Sequence, residues 1–246
     1  MRHVTGATQK HGGIDKYFPS IFPLINCLKL QSQEILIIQA LNLLVGEDFF
    51  YAKSKSDSRE PFLSSSGNPL EVNISFEMKG EYFLRFVYEP YFYLPRRQRL
   101  SKTKSRIENF LIRTGSEEQL QVFRRSLAAW SLNDIHDGDE SPFFCVVCCC
   151  FASESPSSIR IYFVECKDGG VMRRQEHFMA KARVLKLMTT LGMEQEAKYF
   201  KKTYRILLGD NDLEGQPSFI KFVGVDLEKG RNPKLKVYFD PNLSQK

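Results

Sequence analysis

The sequence predicts an α+β protein, an antiparallel sheet with helices laid over one face. Three observations predict it: strand-type runs come in three consecutive pairs, pairs of helical segments separate those pairs, and no glycine-rich phosphate loop follows a strand. Tight turns between neighbouring strands force antiparallel pairing, which excludes a parallel dinucleotide-binding sheet. A sheet of this kind is able to curl into a barrel, with polar and aromatic residues on its second face lining a cavity.

Ser32 to Val45 carries apolar residues at mixed spacing, as a largely buried helix does, and Gly46 is its natural stop. Tyr51 to Pro69 is polar and rich in Ser, Lys, Gly and Pro, a long loop of the kind found at active-site rims. Leu70 to Phe76 and Tyr82 to Tyr88 form the first hairpin, in which Glu71, Asn73 and Ser75 alternate with Val72, Ile74 and Phe76. One face is therefore polar, and both a solvated outer face and a polar interior satisfy the pattern.

Ser101 to Arg113 and the segment opened by Ser116 and Gln119 read as two amphipathic helices, the second with Leu120, Phe123, Leu127 and Trp130 on one stripe. Phe143 to Cys150 and Ile159 to Cys166 are the second strand pair. Met172 to Leu191 and Glu194 to Leu208 are the next helices. Ser218 to Leu227 and Lys234 to Phe239 make the last hairpin.

With 246 residues and 42% hydrophobic content the chain can bury a substantial core, and residues 1–246 are read as one domain. A stretch at 140–170, rich in cysteine, reads as atypical or inserted. No apolar run is long enough for a membrane span, and the first residues lack the apolar stretch of a secretory signal, so a cytoplasmic protein is expected. A net charge of +6 leaves nucleic acid, membrane surfaces and phosphorylated small molecules as acidic partners. Of six cysteines, Cys145, Cys148, Cys149 and Cys150 crowd into one run, a poor disulfide framework and a poor zinc site, and they read as small apolar strand residues. His136, Asp137, Asp139 and Glu140 read as an acidic loop rather than a metal site, and His177 as a surface residue. The basic run Arg96, Arg97, Arg99, Lys102, Lys104 and Arg106 reads as a solvated helix face, since no stacking motif for nucleic acid accompanies it.

In Lys234 to Phe239 the side chains of Lys234, Lys236 and Tyr238 share one face. An edge strand guarded by lysines and a diphosphate site beside an aromatic wall both fit that pattern. Glu71 and Arg85, on partner strands, fit an exposed charge pair equally well.

The run Pro69-Leu70-Glu71-Val72-Asn73, then Leu84-Arg85-Phe86-Val87-Tyr88-Glu89-Pro90, then Val225-Asp226-Leu227 leading to Lys234-Leu235-Lys236-Val237-Tyr238-Phe239, together resemble the indole prenyltransferases of the dimethylallyltryptophan synthase type. The resemblance implies repeated αββα units forming an antiparallel β-barrel, or part of one, surrounded by helices. It implies transfer of a dimethylallyl group from its diphosphate to an indole or tryptophan-type acceptor by metal-independent electrophilic substitution, in alkaloid secondary metabolism and without a cofactor.

In that frame Glu71 would hydrogen-bond the indole N–H and stabilise the charge that grows on the ring. Leu70 would sit against the acceptor, with Lys221 as a further pocket residue. Arg85 and Lys236 would bind the diphosphate, and Tyr238 would shield the allylic cation. The partners implied are these two small molecules, with no nucleic acid and no membrane, and a homodimer is compatible with them. The resemblance is firm at Leu70 to Pro90 and from Ser218 to Pro241 and general in between. Family members continue through further repeats, so an N-terminal partial chain is expected. The other classes open to the sequence are an inactive binding fragment of the same fold and a basic nucleic-acid-binding protein.

Overall fold

A computed structural model of the chain describes residues 19–46, 70–76, 80–91, 94, 96–114, 117–131, 143–153, 157–165, 174–208, 220–228, 230 and 232–239. The loop 51–69, the acidic group 136–140, Ser116 and Cys166 lie outside the described residues, as do the side chains of Arg96, Arg97, His177 and Lys221.

The chain opens with helix α1, Ile21–Cys27, a short 3₁₀ turn, Gln31–Gln33, and helix α2, Glu34–Ala40, whose last turn widens into a π-turn at Leu41–Val45. Gly46 ends it at φ 64° and ψ −177°, a backbone region that side chains exclude. Strands β1, Leu70–Phe76, and β2, Tyr82–Tyr88, follow, then helices α3, Arg96–Arg113, and α4, Glu117–Ser131. Strands β3, Phe143–Ala152, and β4, Ser158–Glu165, precede helices α5, Arg174–Thr190, and α6, Glu194–Leu208. Strands β5, Ile220–Glu228, and β6, Lys234–Phe239, complete the order.

All six strands join one antiparallel sheet in sequence order. The fold is α+β, built of αββα units, and among the described residues the sheet is open, with β1 and β6 as its two edges. Strands β3 and β4, inside the segment 140–170, lie at the centre of the sheet.

Strand alternation sends one set of side chains toward the helices. Leu84 and Phe86 of β2, Cys145, Val147, Cys149 and Phe151 of β3, Ile159, Ile161 and Phe163 of β4, and Val223, Val225 and Leu227 of β5 are buried there with the helical stripes. Trp130 of α4 stacks on Phe163 with centroids 5.4 Å apart, and Phe86 meets Phe151 edge-on at 5.9 Å. Two side-chain amides tie helix to sheet: Gln33 donates to the Ala152 carbonyl and Gln119 to that of Leu227.

Helix α3 starts five residues before the expected Ser101, and of its basic run Lys102 and Lys104 are exposed as a solvated face requires, while Arg99 is buried and Arg106 half-buried. Arg99 is buried and meets buried Glu89 at 3.0 Å. Arg106 donates to the carbonyls of Leu44 and Val45 at 3.3 and 3.1 Å and lies 4.4 Å over the Tyr91 ring. These two arginines turn into the helix layer, where the Glu89 carboxylate and the α2 carbonyls take part of their charge and donors. Among the described residues no helix is long and apolar enough to cross a membrane.

Candidate functional site

The second face of the sheet carries the chemistry. Its rows follow from the register: Glu71, Val87, Cys148, Arg160, Asp226 and Lys234 stand side by side across the six strands. The next row on one side holds Asn73, Arg85, Cys150, Ser158 and Glu228, and on the other Val146, Tyr162, Gly224 and Lys236. Cations therefore recur on alternate strands, with Arg85 on β2, Arg160 on β4 and Lys236 on β6, roughly 10 Å apart at each step along the sheet.

The last two converge on one carboxylate. Asp226, buried at 4% exposure, accepts from Arg160 Nε and, at 2.8 Å, from Arg160 Nη2, and its Oδ2 lies 3.8 Å from Lys236 Nζ. Arg160 Nη1 donates to the Tyr162 hydroxyl at 3.2 Å. Burial works against the Arg160 charge, and the hydrogen bonds to Asp226 and Tyr162 more than offset it, so the guanidinium is held more firmly protonated than usual. Burial pushes the Tyr162 phenol up to about 12 against the opposing pull of Arg160.

Gly224, directly between Tyr162 and Lys236, leaves room for this arrangement. A Cβ there would stand 3.0 Å from Arg160 Cδ and 3.1 Å from Tyr162 Cε1. Beside the cations lies an aromatic wall. Phe222 meets Tyr238 at 4.4 Å and Tyr162 at 5.5 Å, and Tyr162 meets Tyr238 at 5.9 Å. Tyr162, Phe222 and Val87 pack on buried Val146 and Val164 in a second apolar cluster on this face. Two cations meeting at one carboxylate beside an apolar, π-rich surface are suited to a ligand with an anionic head and an unsaturated hydrocarbon tail.

The residues expected from the sequence fall at different places. Lys236 and Tyr238 belong to the convergent cluster. Arg85 shares their face, half-buried and 5.4 Å over the Phe83 ring, but stands four strands from β6, roughly 19 Å along the sheet. Glu71, on edge strand β1, is on the same face; its direct cross-strand neighbour is Val87, while Arg85 faces Asn73, so the two charges are not register partners. Leu70 departs from its expected place. Alternation along β1 turns it away from Glu71 into the main core, where it is buried at 6% exposure beneath the helices. Lys221 lies at a register shift in β5, between Ile220, which pairs with Phe239, and Phe222, which pairs with Tyr238.

The cysteines divide between faces as strand alternation requires. Cys145 and Cys149 sit in the main core, while Cys148 and Cys150 are on the site face, opposite Arg160 and Arg85 respectively. Burial pushes the Cys145 thiol up to about 12 and the Cys148 thiol up to about 11, and holds Cys149 well above its usual value. Among the described residues no three His, Cys, Asp or Glu side chains form a cluster that would hold a metal.

Sequence reasoning missed Arg160 and Tyr162 and gave Asp226 no role. The signal was present: Arg160-Ile161-Tyr162 repeats the spacing of Lys236-Val237-Tyr238, a cation and a tyrosine two apart on one face of a strand.

No protein-family model matches the chain, and no curated protein matches it. Solved structures do. The apo form of prenyltransferase PriB superposes with a TM-score of 0.56 at 16% identity, over 85% of this chain and 52% of that one. The 5-dimethylallyltryptophan synthase of Streptomyces coelicolor superposes with a TM-score of 0.51 at 17% identity, again over 85% of this chain and 52% of that one. The chain thus spans about half the length of these structures.

Proposed function

We propose that this chain, which has the fold of the aromatic prenyltransferases, transfers a prenyl group from an allylic diphosphate to an aromatic acceptor. One observation carries the reading: Arg160 with Tyr162 and Lys236 with Tyr238 repeat a cation and a tyrosine on two strands of one face, joined through Asp226 and the ring contact of 5.9 Å. Cations there would neutralise the diphosphate as the C1–O bond breaks and the electron pair leaves with the phosphate oxygen. The tyrosine rings would face the allylic cation that remains, attracting it through their π-clouds and keeping water from it. Attack by an electron-rich ring carbon and loss of that carbon's proton would complete the transfer, with positioning and charge stabilisation as the source of rate. No metal is needed where protein cations take the diphosphate charge.

The finer reading takes dimethylallyl diphosphate as donor and an indole or tryptophan as acceptor, which would place the product in alkaloid-type secondary metabolism. Glu71 would accept a hydrogen bond from the indole N–H, Arg85 would join the diphosphate contacts once the sheet curls, and Lys221 would border the pocket. In the core beneath Glu71, Leu70 would fix the strand that carries it. Incubation with dimethylallyl diphosphate and tryptophan, with mass spectrometry for the adduct, tests this. An adduct that disappears in Arg160→Met and in Lys236→Met supports the assignment, and pyrophosphate release without any adduct across indole and phenol acceptors overturns it.

A second reading is favoured by the separation of Glu71 from the Lys236 cluster, at opposite edges of an open sheet. In it the chain binds a diphosphate but transfers nothing. Tight pyrophosphate binding with neither turnover nor adduct is its signature.

A further inference from the structure

A carboxylate in the middle of an anion site is a competitor for the ligand unless it does something else there. We propose that Asp226 is a positioning residue, fixing Arg160 and drawing Lys236 to the point where a diphosphate would bind; the inference rests on the diphosphate-binding reading above. Arginine has five N–H donors. Asp226 takes those of Nε and one of Nη2, and the Tyr162 hydroxyl takes one of Nη1, at 3.2 Å. By that count one N–H remains on each of Nη1 and Nη2, and a guanidinium with two such donors can take two oxygens of a phosphate group.

The hold is specific in three ways. It is two-pointed, so the guanidinium plane cannot rotate about a single bond. It is buried, with Asp226 at 4% exposure, so water does not loosen it. It is shared, because the same Oδ2 lies 3.8 Å from Lys236 Nζ. Without the carboxylate, two like charges brought to one point repel and splay apart. The bare Gly224 beside them leaves no side chain to set the arginine, so the carboxylate does it.

Calorimetric titration with inorganic pyrophosphate separates the outcomes, using the whole chain, Asp226→Asn, Arg160→Met and the double variant. Asparagine keeps the shape but donates from one arm, so the two-point hold is lost. Expected is a weakening of about tenfold in Asp226→Asn, with a raised donor KM and an unchanged acceptor KM. Asp226→Asn added to Arg160→Met is expected to cause little further loss, because the residue acts through the arginine. Equal or tighter binding by Asp226→Asn overturns this inference alone, since relief of a competing charge is then the whole effect. Absence of pyrophosphate binding by the unaltered chain overturns the functional reading and this inference with it. Should Asp226→Asn fail to fold, Asp226→Glu carries the comparison: it keeps the charge and shifts it by one methylene, and unchanged affinity in it overturns the positioning role.

Discussion

Asp226 and Arg160 face each other across the β4–β5 pairing and lock by two hydrogen bonds, with the carboxylate almost wholly removed from water and the arginine about one-fifth exposed. Removing either partner leaves a buried charge, whereas removing both leaves none. Arg160→Met is expected to lower stability by about 2 kcal/mol, less than for a fully buried pair because Lys236 stays near and Arg160 is partly wet. The double variant Arg160→Met with Asp226→Leu should return to within about 1 kcal/mol of the original chain while pyrophosphate binding stays lost. Urea midpoints and pyrophosphate titration of the three proteins check the two halves separately.

A second ion pair should behave differently because it has no candidate ligand. Glu89, just after β2, meets Arg99 in the second turn of α3 at 3.0 Å, with side chains 1% and 9% exposed. Glu89→Gln removes the carboxylate from a buried guanidinium and is expected to cost about 3 kcal/mol. The urea midpoint should fall with an unchanged slope, and the donor KM should not move in what remains folded.

This pair also shows where the sequence was hard to read. The strand bounds of the first hairpin were legible because β1 alternates polar and apolar residues. The start of α3 was not, since periodicity counts apolar side chains and Arg99 is buried by its partner instead. The centre of the sheet was obscured for the opposite reason. In β3, Cys145, Val146, Val147, Cys148 and Cys149 are all buried, so neither face carries the polar signal of alternation, and the segment looked foreign to its surroundings. Setting it aside hid Arg160 on the neighbouring strand. Lys236 and Tyr238 were singled out because they share the polar face of β6 and match the resemblance drawn there. Leu70 was misplaced because a motif match does not say which face a residue takes; alternation from Glu71 does.

The buried thiols tie stability to alkaline pH. Burial raises Cys145 to about 12 and Cys148 to about 11 from an ordinary value of 9.0, so both are protonated in the folded chain when an unfolded chain would ionise. A raised folded value means the contribution is intact below pH 9 and is lost as pH rises from 9 through 11 to 12, by on the order of 1 kcal/mol per pH unit for each thiol. Urea midpoints at pH 8 and pH 10 measure the loss, and Cys145→Ala should reduce the slope. At pH 8, iodoacetamide should label exposed Cys27 and spare Cys145, Cys148 and Cys149 until urea is added.

Gly46 tests the helix layer. Its φ of 64° with ψ of −177° lies where only glycine is at ease, and a Cβ would also stand 3.4 Å from the Arg106 guanidinium that accompanies the π-turn carbonyls. Gly46→Ala is expected to lower stability by about 2 kcal/mol, read as a fall in the urea midpoint. The site face lies on the other side of the sheet, so pyrophosphate affinity should be unchanged.

Gly224 tests the site face in the reverse sense. It sits in extended backbone, where alanine is at ease and where a gain of about 0.5 kcal/mol from the stiffer unfolded chain offsets mild crowding. Stability of Gly224→Ala should therefore lie within about 1 kcal/mol of the original. The new methyl nevertheless stands 3.0 Å from Arg160 Cδ and 3.1 and 3.2 Å from the Tyr162 ring, closer than such contacts normally run. Because the guanidinium is held at Asp226, the arginine stem or the ring must move by a few tenths of an ångström while that end stays fixed. A misaimed Arg160 would lose about 1 kcal/mol of anion binding, a weakening of about fivefold for pyrophosphate. The same fold-change in the donor KM, beside an unmoved urea midpoint, would show that this glycine serves the site and not the sheet; a fall in stability with unchanged affinity would show the opposite.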